Sequence, residues 1–252
     1  MNYSSNNSVN STILKSKIEK RTLRSRVCGG EGLHNRTGYL VCSAGLLMTD
    51  ADDINQSFLL TAGHCSEGET PNNDGFIDLY HLSWNSPPSF KYIGPLVNYS
   101  IAPYNFGLIR LIGERVAVLD IIRDNDGAPY EELFVKGSKR PLSVGAHVCK
   151  SGHATFVSCG QITELNAELT YRDSNNNTIT KKEMIVTSVR SVKGDSGGPV
   201  FSYSSKNTSP DVYVVGILIG GMENHGISDV LPLEVVLRNT NLVLDVVGGL
   251  FG

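Results

Sequence analysis

From Val27 onward the chain is a succession of short apolar or alternating runs, GYLVCSAGLLM, SFLLTAGH, FGLIRLIG, SVGAHVCK, EMIVTSV and DVYVVGILI, separated by clusters of Gly, Asn, Asp and Pro. No other feature restricts the fold as strongly. Runs repeating about every ten residues, rich in β-branched and aromatic side chains and without helical period, build an all-β barrel or sandwich. One helical pattern stands near the end: PLEVVLRN places Leu233, Val236 and Leu237 at i, i+3 and i+4, with Glu234 and Arg238 facing elsewhere.

Residues 1–26 differ in kind. They are Asn- and Ser-rich and then basic, through Lys15, Lys17, Lys20, Arg21, Arg24 and Arg26, and read as a polar leader. Near residues 120–146 the stretch DIIRDNDGAPYEELFVKGSKRPLS reads as a long polar connection between two strand-rich halves. The expected division is therefore a leader (1–26), a first β-barrel (27–125), and a linker with a second barrel and terminal helix (126–252).

Composition narrows the function by exclusion. With 22 Lys+Arg against 25 Asp+Glu the formal charge is −3, which argues against nucleic acid as a partner, since phosphate neutralisation needs concentrated cations. No apolar run of about eighteen residues exists to form a spanning helix, so no membrane partner is expected. Residues 1–26 also lack the apolar core of a secretory signal. Yet Asn-x-Ser/Thr acceptors at Asn2, Asn6, Asn10, Asn35, Asn55, Asn98, Asn176 and Asn207, and cysteines spaced for loop-closing bridges, point to a secreted glycoprotein.

Chemistry concentrates at two places. Lys193-Gly194-Asp195-Ser196-Gly197-Gly198-Pro199-Val200 sets a serine among glycines directly before an apolar strand. Glycine freedom permits a tight turn in which the N–H groups of Gly194 and Ser196 converge on one point, where acyl transfer would develop negative charge. A plain Gly-rich turn would read the same, and a serine needs a base before it attacks. Leu59-Leu60-Thr61-Ala62-Gly63-His64-Cys65 offers that base at the end of an apolar strand. His34, His81, His147, His153 and His225 stand in polar or turn-like contexts and read as surface or hydrogen-bonded residues.

LLTAGHC followed about 130 residues later by GDSGGPV resembles the trypsin/chymotrypsin-like serine endopeptidase superfamily. VCKSGHATFVSCGQITELNAELTY before GDSGG is similar to its bacterial streptogrisin and α-lytic branch, over about Val27 to Leu237. The resemblance implies two six-stranded antiparallel β-barrels packed face to face, with the active site between them. It implies Ser196 as nucleophile, His64 as general base and then acid, and the N–H groups of Gly194 and Ser196 as oxyanion hole. It implies a monomer acting on peptide or protein substrates, open to protein inhibitors, without cofactor or metal.

The same resemblance pairs Cys42 with Cys65 and Cys149 with Cys159, each closing a loop worth about 3 kcal/mol. Cys28 remains as a small buried hydrophobe, a free thiol or an intermolecular link. Asp195 becomes a structural ion-pair partner, and cleavage after Arg26 a maturation step, unless that segment is a simple basic loop. Val215–Gly221 matches the substrate-binding edge, which brings in Ile219, Gly220 and Gly221. Arg190 and Lys193 fall near the primary pocket, where they would favour an acidic residue if they do not point to solvent.

Two positions depart from the pattern. The segment Tyr104-Asn105-Phe106-Gly107-Leu108-Ile109-Arg110 carries Asn105 where the family has its aspartate, the group that holds the Nδ1–H of the histidine and stabilises the imidazolium. An amide carries no charge, and it can present its NH₂ to the ring and favour the other tautomer. Ile219 falls where a serine usually supports that aspartate. Asp74, Asp78, Asp120 and Asp124 are the acids between the two motifs that could substitute. Two functions fit: a serine endopeptidase slowed by Asn105, and a catalytically silent fold that binds peptides or proteins in the old cleft.

Overall fold

The computed structural model describes residues 24–36, 39–84, 91–140, 143–172, 176–204, 209–222 and 226–248. The leader up to residue 23, the acceptors Asn2, Asn6, Asn10 and Asn207, and His225 lie outside the described residues.

The chain begins with β1 (Ser25–Gly29) and then builds a first barrel from β2 (Gly32–His34), β3 (Leu40–Ser43), β4 (Leu47–Asp50), β5 (Ser57–Thr61), β6 (Ile77–Leu82), β7 (Lys91–Ser100) and β8 (Phe106–Arg110). The pairing order is β4-β5-β8-β7-β6-β2-β3, all antiparallel. β3 and β4 form one bent stave, because the ladder continues across their joint through Gly45 N–H to Leu60 O and Leu60 N–H to Leu46 O, both at 2.9 Å. Six staves thereby close. Each contributes a fully buried side chain: Leu33, Met48, Leu59, Leu79, Ile93 and Ile109. Each such burial stabilises by roughly 1.5–3 kcal/mol, and alternation along the strand turns the polar neighbours outward.

The second half holds β9 (Val116–Arg123), β10 (Glu132–Ser138), β11 (His147–Gly152), β12 (Phe156–Arg172), β13 (Thr178–Thr187), β14 (Pro199–Tyr203), β15 (Asp211–Met222), β16 (Ile227–Pro232), α1 (Leu233–Arg238) and β17 (Leu242–Leu244). Here β15-β14-β11-β12-β13-β16 closes on itself through a β15–β16 pairing, again six antiparallel staves. Val148, Ile162, Ile185, Val200, Leu218 and Val230, one from each stave, make its inner cluster. The fold is thus the all-β, two-barrel architecture with a short terminal helix, whose Leu233, Val235 and Val236 are buried.

Three features extend that plan. The stretch read as a polar connection forms β9 and β10, with Ile122, Leu133 and Val135 buried. Its polar letters belong to the hairpin tip, and the short alternating flanks supply the strands. β1 pairs in parallel with β9, and β10 in parallel with β15, so the sheet is not wholly antiparallel. The chain ends also cross over: β1 joins the second sheet, while β17 pairs with β4 of the first. Among the described residues, no helix is long and apolar enough to cross a membrane.

Disulfides join Cys42 to Cys65 and Cys149 to Cys159, across 23 and 10 residues. Cys28 is a buried free thiol, pushed up to about 12 chiefly by burial, with the Glu31 carboxylate adding to it; it is inert at neutral pH. Replacing Cys42 and Cys65 together by Ala is expected to lower the unfolding free energy by about 3 kcal/mol, read as a shifted urea midpoint at unchanged slope.

Candidate active site

The histidine of the first barrel sits where β5 ends and the chain turns through a 3-10 segment, Gly63–Ser66. Gly63 is required there, since a Cβ would fall 1.9 Å from the Ser100 carbonyl oxygen. The Cys42–Cys65 bond ties this turn to β3. Asn105, fully buried just before β8, faces it. Its Oδ1 accepts the backbone N–H of His64 at 3.0 Å and lies 3.2 Å from Nδ1 of the same ring.

The backbone contact decides the chemistry of the pair. A peptide N–H only donates, so the amide atom facing it is the oxygen, and that oxygen also faces Nδ1. Nδ1 therefore carries the proton and Nε2 keeps its lone pair. The sequence leaves open an amide turned with its NH₂ to the ring; the His64 main chain selects the other orientation and with it the tautomer a general base needs. The cost appears on the far side, where Asn105 Nδ2 is buried without an acceptor, a loss of about 1–3 kcal/mol. The buried Ile219, read as standing in for a supporting serine, is apolar and offers its side chain no such acceptor.

What the amide cannot supply is charge. The His64 pKa is lowered to about 4, first by burial and then by the positive charge of Lys181, against the upward pull of the Asn105 hydrogen bond. The imidazole is neutral at pH 7 and a weak base. Among the described residues no other acid takes the place of a carboxylate at the ring: Asp74 is exposed, Asp120 lies in β9 and makes no hydrogen bond to His64, Asp78 takes hydrogen bonds from Asn72 and Tyr92, and Asp124 from Asn125 and Tyr203. Among the described residues the imidazole's hydrogen-bond partner is Asn105.

The serine stands on a turn shaped by a buried carboxylate. Asp195 accepts the N–H groups of Ala154, Thr155 and Val192 and the Thr155 hydroxyl, and lies 3.3 Å from the ammonium of Lys150, both side chains fully buried. Lys150 also donates to Thr155 Oγ1 and the Phe156 carbonyl, and burial brings it down to about 8, against the attraction of Asp195. Gly197 adopts φ +90°, and a Cβ there would fall 2.1 Å from Thr61 Oγ1, so only glycine fits between the barrels. Ser43 of the first barrel clamps the turn, its Oγ donating to Gly194 O at 2.8 Å and its N–H to Ser196 O at 2.7 Å.

With these carbonyls tied down, the N–H groups of Gly194 and Ser196 find no protein acceptor among the described residues. Ser196 is 8% exposed, and its Oγ donates to the Ile219 carbonyl at 3.4 Å; no hydrogen bond joins it to His64. Asp195 is fully engaged, so a new amino terminus at Val27 would find no free carboxylate in this turn. Arg26 is instead held in β1, paired with Glu132.

Two hydroxyls meet beside Gly221. Ser191 and Ser228 are buried, with their oxygens 2.6 Å apart, and a Cβ on Gly221 would meet them at 2.9 and 3.0 Å. Arg190 and Lys193 are exposed. Gly220 faces open space. Sequence reasoning passed over Lys150, Lys181, Ser191 and Ser228: Lys150 lay inside the quoted VCKSG run, but nothing in the letters pairs it with Asp195 45 positions away. His34 and His81, read as surface or hydrogen-bonded residues in polar or turn-like contexts, are buried in the strands β2 and β6 and hydrogen-bonded there, His34 Nδ1 with the Asn35 carbonyl at 2.8 Å and His81 Nε2 with the Glu31 carboxylate at 2.9 Å.

The trypsin family model matches residues 32–232, most of the chain. The chain belongs to the trypsin family. It is 27% identical to streptogrisin-C of Streptomyces griseus over 94% of its own length and 45% of that protein's. It is likewise 27% identical to Serine protease 2 of Streptomyces fradiae, over 79% of this chain and 96% of the relative. Protease A of Thermobifida fusca shares the fold, with a TM-score of 0.65 at 24% identity, covering 88% of this chain and all of that one. This trypsin-family chain spans less than half of streptogrisin-C and nearly all of Serine protease 2.

Within it, Lys150 and Asp195 form the buried ion pair that shapes the serine turn. Lys150→Met would leave Asp195 charged and unpaired, and is expected to destabilise the fold by about 3–5 kcal/mol, measured by urea unfolding at pH 7. A loss below about 1 kcal/mol would contradict the role given to the pair.

Proposed function

We propose that the chain is a secreted serine endopeptidase that cleaves peptide bonds slowly through an acyl-enzyme at Ser196. The observation that carries this is the doubly accepting Asn105 Oδ1, which leaves Nε2 of His64 as a lone-pair base. Ser196 Oγ rotates from the Ile219 carbonyl to Nε2 when a peptide seats, since such contacts tighten only in the substrate complex. Oγ attacks the carbonyl carbon as its proton passes to Nε2, and the oxyanion takes the N–H groups of Gly194 and Ser196. His64 returns the proton to the leaving amine, then draws a proton from water to release the acid.

The rate is limited by the imidazolium, which forms beside a neutral amide. In the reference enzymes of this superfamily, replacing the aspartate by asparagine costs about 10⁴ in kcat, a figure that includes the wrong tautomer. Here the tautomer is right, so the deficit is the charge alone and is smaller. The Ser191 and Ser228 hydroxyls support a polar, uncharged primary pocket, while the exposed Arg190 and Lys193 do not supply a buried cation. Two disulfides favour an oxidising compartment, and Asn55, Asn98 and Asn176 are exposed acceptors for glycans there. A monomer, open to protein inhibitors, completes the reading.

The competing function, a silent peptide-binding fold, is favoured by one observation: Ser196 Oγ is turned to a carbonyl and not to the base. A fluorophosphonate probe separates the two. Wild type is expected to label at Ser196, and Ser196→Ala not at all; no labelling of folded protein supports the silent fold. On a mixed peptide library Asn105→Asp is expected to raise kcat by a factor below about 10⁴ with KM little changed, because a carboxylate acts on the transition state. An unchanged kcat would mean that Ile219 keeps the carboxylate from settling.

A further inference from the structure

The hairpin of β12 and β13 carries Lys181 beside the active site. Its register sets Lys181 opposite Leu169, and the next residue, Lys182, donates its N–H to the Pro103 carbonyl at 3.1 Å, two residues from Asn105. The Lys181 side chain is only 6% exposed. Its ammonium lies 4.6 Å from the centroid of the Tyr171 ring, and among the described residues it makes no hydrogen bond or ion pair. A desolvated ammonium left with one aromatic face is a costly arrangement. It is also adverse to catalysis as it stands, because its charge opposes protonation of His64.

Two carboxylates face it, Asp229 on β16 and Glu67 in the turn after His64, and neither forms an ion pair with it among the described residues. Asp229 pairs across the ladder with Gly220 of β15. That glycine borders open space, and β15 has left β14 after Ile217, so residues 219–222 keep one edge without a strand partner. An extended peptide adding to this edge would carry a side chain over Gly220, across the ladder from Asp229, the carboxylate whose charge acts on Lys181.

We propose that Lys181 is the specificity-determining cation of a substrate subsite, binding the carboxylate of an acidic side chain in the peptide segment that lies along Gly220. The carboxylate would give the ammonium the direct contact that Asp229 and Glu67 do not make, as a charge-assisted hydrogen bond in a site closed to water. It would also cancel the positive field on His64, so that an acidic peptide restores part of the basicity that Asn105 fails to provide. Substrate binding and activation of the base become one event.

The subsite rests on the peptidase reading only for its effect on turnover, so the test reads binding separately. Fluorescein-labelled hexapeptides, matched in pairs with Glu or Gln at each position before the scissile bond, are titrated against Ser196→Ala by anisotropy. At one position Glu is expected to bind at least about tenfold tighter than Gln. The preference should fall to within about twofold in Ser196→Ala/Lys181→Met, whose unbranched side chain keeps the packing, and return in Ser196→Ala/Lys181→Arg. Equal affinities, no binding at millimolar peptide, or a preference that survives Lys181→Met would each overturn the proposal. Glu preference in binding without wild-type turnover would remove the peptidase reading alone, and turnover without preference would remove the subsite alone.

Discussion

The buried carboxylate of Asp195 is the constraint on which the rest of the site depends. Three backbone N–H groups, one hydroxyl and the Lys150 ammonium converge on it. Removing such a pair from water is expensive, and the geometry repays it only because further hydrogen-bond donors are in place. In return the chain from Val192 to Gly198 is held in a tight turn, with Gly194 and Gly197 in conformations closed to other residues. Ser43 then locks that turn to the first barrel. The two free N–H groups and the serine are consequences of this lock, and they exist only where both barrels contribute.

The site therefore separates its geometry from its charges. A charge is retained where it shapes the backbone, at Asp195 with Lys150. Beside the imidazole stands the uncharged amide of Asn105, and the nearby positive charge of Lys181 opposes protonation of the ring. Geometry is nonetheless preserved around His64, because the main-chain N–H of that residue fixes the amide oxygen in the place of a carboxylate oxygen. Orientation and charge, which one aspartate supplies together, are separated here, and only orientation is built into the protein.

The sequence made the large features legible. Strand alternation and turn residues suffice for an all-β chain, and GHC and GDSGG are short local motifs whose letters carry their geometry. Both disulfides followed from position within the resemblance. What escaped has a common physical reason: it is non-local. Lys150 and Asp195, Lys181 and His64, and Ser191 and Ser228 meet only because barrel closure brings distant strands together. The exchange of β1 and β17 between sheets is equally invisible to a window of residues. Asn105 is the instructive case, since its identity was plain in the sequence but its amide orientation was not. That orientation is set by a backbone donor 41 positions away, which no side-chain pattern encodes.

His64 is held as a neutral imidazole, with its proton on Nδ1, by the uncharged oxygen of Asn105. Nitrogen-15 NMR of the imidazole in the intact protein, followed from pH 8 to pH 3, tests it most directly. The structure requires the proton on Nδ1 and an unprotonated Nε2, with the ring taking up its second proton only near pH 4. A proton on Nε2, or a titration near the ordinary histidine value of 6.5, would contradict it.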